Sequence, residues 1–165
     1  MKWIIIILIL AKCTILYAPV YKEDPEIRKA YLQMLKIQEE NLIDSLISVY
    51  NDHIQKLLSS HIHWESWGNA KAWNKMEDAV GILQITKRKV NAINMILIKQ
   101  GRTNLFTYSD RWNPGKSIEM WMINMNHSNP TFNIRKSCLI WNGYGKDGKG
   151  SLKHYNKIKS YYEKL

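Results

Sequence analysis

Residues 24–66, DPEIRKAYLQMLKIQEENLIDSLISVYNDHIQKLLSSHIHWES, decide the fold class. Asp24-Pro25-Glu26 carries three helix-start signals: an N-cap acceptor, a proline suited to the first helical position, and an acid near the positive end of the helix dipole. Apolar residues then recur at Ile27, Tyr31, Met34, Leu35, Leu42, Leu46, Val49, Tyr50, Ile54, Leu58 and Ile62, the spacing of one helical face. The stretch is long enough for two helices, with a break near Glu39-Glu40-Asn41, although no Gly or Pro forces one.

The same period continues downstream. Gly68-Asn69 ends the first region. Val90, Ile93 and Leu97 form a second stripe, stopped by Gly101. Asn113-Pro114 is another helix start, followed by Ile118, Trp121, Met122 and Met125. Pro130 interrupts the chain. Ile134, Cys138 and Trp141 form a further face, Gly143, Gly145, Gly148 and Gly150 a loop, and Leu152, Tyr155, Ile158 and Tyr162 a last helix. No strong period-two segment stands out, but a small hairpin fits between Asn69 and Ile85. The expected fold class is all-α, or α with a minor β-hairpin, with Trp121 and Cys138 in the core.

Upstream, Met1-Lys2 precedes an apolar run from Trp3 to Ala11 that Lys12 interrupts. Residues 1–21 therefore read as a secretory signal or a retained membrane anchor, and residues 22–165 as a single domain. Export to the periplasm or cell envelope follows, with membrane association through the N-terminus if the segment stays. Lys12 before Cys13 does not suit a lipoprotein. If the leader goes, Cys138 is the one cysteine left and no intramolecular disulfide can form.

The chain has 165 residues, 45% hydrophobic and 23% charged, which excludes a disordered tail or a fibrous repeat. Its net charge of +10 favours polyanionic partners without choosing among them. A basic nucleic-acid binder using Lys87-Arg88-Lys89 is one such reading, and the export signal argues against it; no nucleic acid is expected. Six lysines from Lys146 onward give the last helix a basic face.

Glu65 closes the first helical region, three residues past Ile62, between Trp64 and Trp67. A carboxyl on or beside an apolar face loses hydration, and its pKa rises toward a general-acid value. The spacing alone fits an exposed helix-terminal Glu as well. Asp78 is a candidate second carboxylate beside Glu77; an inverting hydrolase needs one about 6.5–9.5 Å from the acid. His61 and His63 are two apart on a helix and face different ways, and no third ligand stands out, so no metal is expected.

Three motifs occur in order. They are Glu65-Ser66-x-x-Asn69, then Ala79-Val80-Gly81-Ile82-Leu83-Gln84-Ile85, then Leu139-Ile140-Trp141-Asn142-Gly143, with Tyr155 and Ile158 closing. This order resembles the lytic transglycosylase family of the lysozyme-like superfamily, over about residues 50–162. The resemblance implies a lysozyme-like helical domain, needing no cofactor, that cuts peptidoglycan between N-acetylmuramic acid and N-acetylglucosamine. It implies that Glu65 is first acid and then base, closing a 1,6-anhydro ring. It makes Ser66, Gln84 and Asn142 substrate-binding, with Trp141 where the family has a Tyr against the catalytic Glu. Asp78 replaces a Gly, and Tyr144 replaces a small residue. Trp64, Trp67 and Trp73 are candidates to stack on sugar. The expected partner is the glycan strand, and the expected state a monomer. Goose-type lysozymes are similar around Glu65 and 81–85, so a hydrolase using Glu65 and Asp78 is the alternative, with a non-catalytic glycan-binding protein of the same fold as the other.

Overall fold

The computed structural model describes residues 25–142 and 149–165. The Asp24 cap, the N-terminal leader, Tyr144 and most of the glycine loop lie outside them. The element order is helix α1 (Pro25–Ser66), strands β1 (Trp73–Asn74) and β2 (Ala79–Val80), helix α2 (Lys87–Lys99), a 3₁₀ turn (Tyr108–Trp112), and helices α3 (Pro114–Ser128), α4 (Ile134–Asn142) and α5 (Lys149–Tyr162). The fold is thus mostly helical with one small antiparallel hairpin, in which Trp73 pairs with Val80 and Asn74 with Ala79. Among the described residues no helix is long and apolar enough to cross a membrane.

Helix α1 runs 42 residues without a break. Strong helix formers fill the region around Glu39-Glu40-Asn41. Lys36 Nζ also reaches Glu40 Oε1 at 3.8 Å across one turn there, an exposed pair of small weight.

Backbone contacts divide the chain into Met1–Asn51 and Asp52–Leu165. In the first unit, α1 has the expected helical period, and Tyr31, Met34, Leu42 and Val49 are exposed. In the second unit, Leu57, Leu83, Ile85, Val90, Ile93, Leu97, Met120, Trp121, Met125, Phe132, Cys138 and Ile158 form a fully buried core. The stripes on α2 and α3 point into it as their periods require.

The caps explain the boundaries. Thr86 accepts from Lys89 N at the start of α2, and Asn113 accepts from Lys116 N at the start of α3, where Pro114 occupies the first turn. At the end of α2, Gly101 takes φ +73°. Its N–H reaches Ile98 O, and Arg102 N–H reaches back to Leu97 O, which closes the last turn.

The segment Ala79–Ile85 is held from below by Arg111. This buried guanidinium donates to Asp78 O at 2.7 Å, Ile85 O at 3.1 Å and Tyr108 O at 2.8 Å. Ser117 Oγ in turn donates to Arg111 O at 2.9 Å. Gly81, at φ +77°, lies so close to the Arg111 carbonyl that a Cβ there would overlap it. The glycine of the second motif is required by packing, whatever else it does.

Candidate active site

A cleft of about 690 Å³ opens within the unit Asp52–Leu165. Glu65 enters it from the last turn of α1. Asn74, Glu77, Asp78 and Gln84 line the hairpin side, Thr86 to Lys89 the start of α2, and Trp141 and Asn142 the end of α4. Three sequence-distant motifs thus meet around one carboxyl.

The Glu65 side chain is only 15% exposed. Burial first, and then nearby Glu77, push its pKa up to about 7 against the opposing charge of Lys89. Lys89 is itself drawn in: Nζ donates to Ile140 O at 2.9 Å and lies 4.9 Å from the Trp141 ring centre. Burial, and Arg88 beside it, lower the Lys89 ammonium to about 8, while Glu65 holds it up. At neutral pH the cleft therefore pairs a carboxyl poised to titrate with a nearby cation that favours its ionised form.

Behind Glu65 stand two histidines. His154 Nε2 of α5 lies 3.7 Å from Glu65 Oε1. Burial, and then Lys157, lower the His154 pKa to about 4, so the imidazole is neutral near pH 7 and the approach is not an ion pair. His61 is fully buried one turn before Glu65, and burial, His154 and Lys89 lower it to about 3. Its Nε2 meets Ser137 Oγ at 3.2 Å, and that hydroxyl already donates to Ile134 O at 2.7 Å. Ser137 must then accept from His61 Nε2–H, which leaves the His61 Nδ1 lone pair free. His61 Nδ1, Glu65 Oε1 and His154 Nε2 are all buried without a hydrogen-bond partner among the described residues.

His61, Glu65 and His154 are also the metal-ligand chemistry of this site, each offering an atom within 4.8 Å of the others. The donors of a tetrahedral zinc, with bonds of about 2.0–2.1 Å, stand roughly 3.4 Å apart. The group would have to close up, against the charge of Lys89, to hold such an ion. The sequence signal for its third member was faint: His154 sits four residues before buried Ile158, on the inward face of α5.

Several anticipated contacts fall elsewhere. Ser66 is buried, and its Oγ donates to Ile82 O at 2.8 Å, so it ties α1 to the second motif and does not line the cleft. Trp141 lines the cleft, but its Nε1 donates to Leu83 O at 3.2 Å and not to Glu65. His154 occupies the neighbouring station instead. Gln84 lines the cleft with its amide Nε2 committed to Gly81 O at 3.0 Å and Ala72 O at 3.2 Å. Asn142 is exposed at the rim. Asp78 faces the cleft, but Lys87 Nζ at 3.3 Å and Arg111 at 3.6 Å hold its carboxylate. Trp64, Trp67 and Trp73 are not among the lining residues. Trp67 takes φ +56° just past the end of α1, which turns its ring toward His63, 4.3 Å between centroids. Cys138 is buried with its thiol pushed up to about 11, chiefly by burial, as fits a core residue.

No protein-family model, curated protein or solved structure matches the chain.

Proposed function

We propose that the chain is a peptidoglycan-cleaving lytic transglycosylase with Glu65 as its single acid/base. The observation that carries this reading is the placement of Glu65: a mostly buried carboxyl that still lines an open cleft, with polar side chains of the two other motifs, Gln84 and Asn142, beside it.

Glu65 starts protonated and gives its proton to the glycosidic oxygen between N-acetylmuramic acid and N-acetylglucosamine. The C1–O bond breaks, and the leaving sugar departs with that proton. The Glu65 carboxylate then takes the proton of the muramyl 6-hydroxyl as that oxygen bonds to C1, closing the 1,6-anhydro ring. Glu65 is thereby reset, and no water is consumed. Lys89 stabilises the carboxylate between the two steps. One group serving both steps needs a pKa near the working pH, which burial supplies. Asn142 offers an amide, and Gln84 an amide oxygen, to sugar hydroxyl and acetamido groups, and Trp141 closes that side of the cleft.

A lysozyme-type hydrolase with Asp78 as second carboxylate is the alternative, because Asp78 lines the same cleft. Its two cationic partners weigh against it as the base that activates water. The test is clearance of a peptidoglycan suspension by the wild-type chain and by Glu65→Gln. Clearance by the first and none by the second is expected. Equal clearance by both would remove Glu65 from the chemistry. The reading places the chain in the cell envelope as an exported monomer acting on glycan strands.

A further inference from the structure

Trp67 is 73% exposed and sits in the left-handed region at φ +56°. A bulky aromatic in that conformation is costly, and an exposed ring recovers little of the cost from packing. It is not isolated. The His63 ring stacks on Tyr161, 3.9 Å between centroids and 12° between planes, and Trp67 packs on His63. Trp64 joins at 5.9 Å from Trp67. Trp64 also begins a groove of about 520 Å³ that continues along α5 past Lys153, Asn156, Lys157 and Ser160. These four follow the i, i+3, i+4, i+7 pattern of one helical face. Lys157 Nζ lies 4.9 Å from the Trp64 ring centre. Among the described residues no carboxylate lines this groove, and none of its lining residues lines the Glu65 cleft.

We infer that this groove and the Trp67 platform form a second binding site, for a glycan strand that carries carboxylate side groups. The aromatic faces suit the apolar faces of pyranose rings. The Asn156 amide and Ser160 hydroxyl suit sugar hydroxyl and acetamido groups. Lys153 and Lys157 supply the charge complement of carboxylates on such a strand. The choice of glycan rests on the muralytic reading of Glu65. The site would hold the wall while the cleft cuts it, and its loss would weaken attachment without touching the chemistry.

The test is co-sedimentation of the full chain with isolated peptidoglycan, in the Glu65→Gln background so that the wall is not consumed. Trp67→Ala and the pair Lys153→Glu with Lys157→Glu are each expected to weaken binding about tenfold, with unchanged circular dichroism, and Trp67→Tyr to restore most of it. With peptidoglycan whose carboxylates have been amidated, the lysine pair is expected to lose its effect and Trp67→Ala to keep it. Binding equal to the Glu65→Gln parent in both variants would overturn the site. So would tighter binding of single-stranded DNA through the same residues. Failure of the site and failure of the enzyme reading are separable. Wild-type cleavage with no effect of Trp67→Ala on binding removes only the groove. Absence of cleavage with Trp67-dependent retention on the wall leaves the groove standing.

Discussion

His154 Nε2 and Glu65 Oε1 face each other at 3.7 Å, both buried and neither hydrogen-bonded to another described residue. A shift of under an ångström makes a hydrogen bond from a neutral imidazole to the carboxylate, and such a bond gains strength as charge develops on Glu65. His154 is thus placed to orient Glu65 and to stabilise it after proton transfer. His154→Ala should lower kcat about 10- to 100-fold with KM little changed, since a hydrogen bond to a charged group is worth roughly 1.5–3 kcal/mol. His154→Gln, which keeps a donor, should recover part of the loss. Steady-state release of soluble muropeptides measures both.

The pH profile has a defined sign. Glu65 must carry its proton to act, and its pKa is about 7, so cleavage should be strong below that value and fall as pH rises through it. Glu77 raises the Glu65 pKa and Lys89 lowers it. Glu77→Gln should therefore move the fall to lower pH and Lys89→Met to higher pH. His61 and His154, held near 3 and 4 by burial, add no limb near neutrality. Initial rates across the neutral range test the order of the three profiles.

Arg111 is the structural counterpart of the site. Its guanidinium holds two carbonyls that bracket the second motif and a third in its own 3₁₀ turn. Arg111→Ala leaves those buried acceptors unpaired and should cost about 3 kcal/mol, read as a lowered unfolding midpoint in urea.

Gly81→Ala should also destabilise, by more than about 1 kcal/mol. It combines a positive φ with overlap on the Arg111 carbonyl. Because Gly81 shapes the backbone that carries Gln84, cleavage should fall along with stability. Thermal unfolding and turnover measured on one preparation test the pairing.

Cys138 should resist alkylation in the folded chain and react readily in denaturant. Its thiol is buried and held protonated to about pH 11. Mass shifts after iodoacetamide treatment at mildly alkaline pH read this directly.

The helices were legible because their periods survive in short windows: Val90, Ile93 and Leu97 name the buried face of α2 without help from the rest of the chain. The hairpin was legible only as room between Asn69 and Ile85, since two-residue strands are too short to show alternation. Along α1 the period reports a helical face and not what covers it: Tyr31, Met34, Leu42 and Val49 are exposed. Glu65, Asp78, Gln84, Trp141 and Asn142, far apart in the sequence, line one cleft. Ser66 and Trp67 depart because adjacency to Glu65 says nothing of direction: one turns inward to Ile82 O, and the other is swung aside by a left-handed residue at the helix end. His154 and Arg111 act through contacts with residues far away in the chain, and a single sequence carries little trace of such pairings.

The most direct measurement is the mass of the soluble fragments that the wild-type chain releases from isolated peptidoglycan, with Glu65→Gln as control. Fragments ending in 1,6-anhydromuramic acid, made by the wild type and absent from the control, are the expected result. Fragments with reducing ends would contradict the single-carboxyl mechanism and return Asp78 to the chemistry, and no release by the wild type would contradict the assignment of Glu65 as a muralytic acid/base.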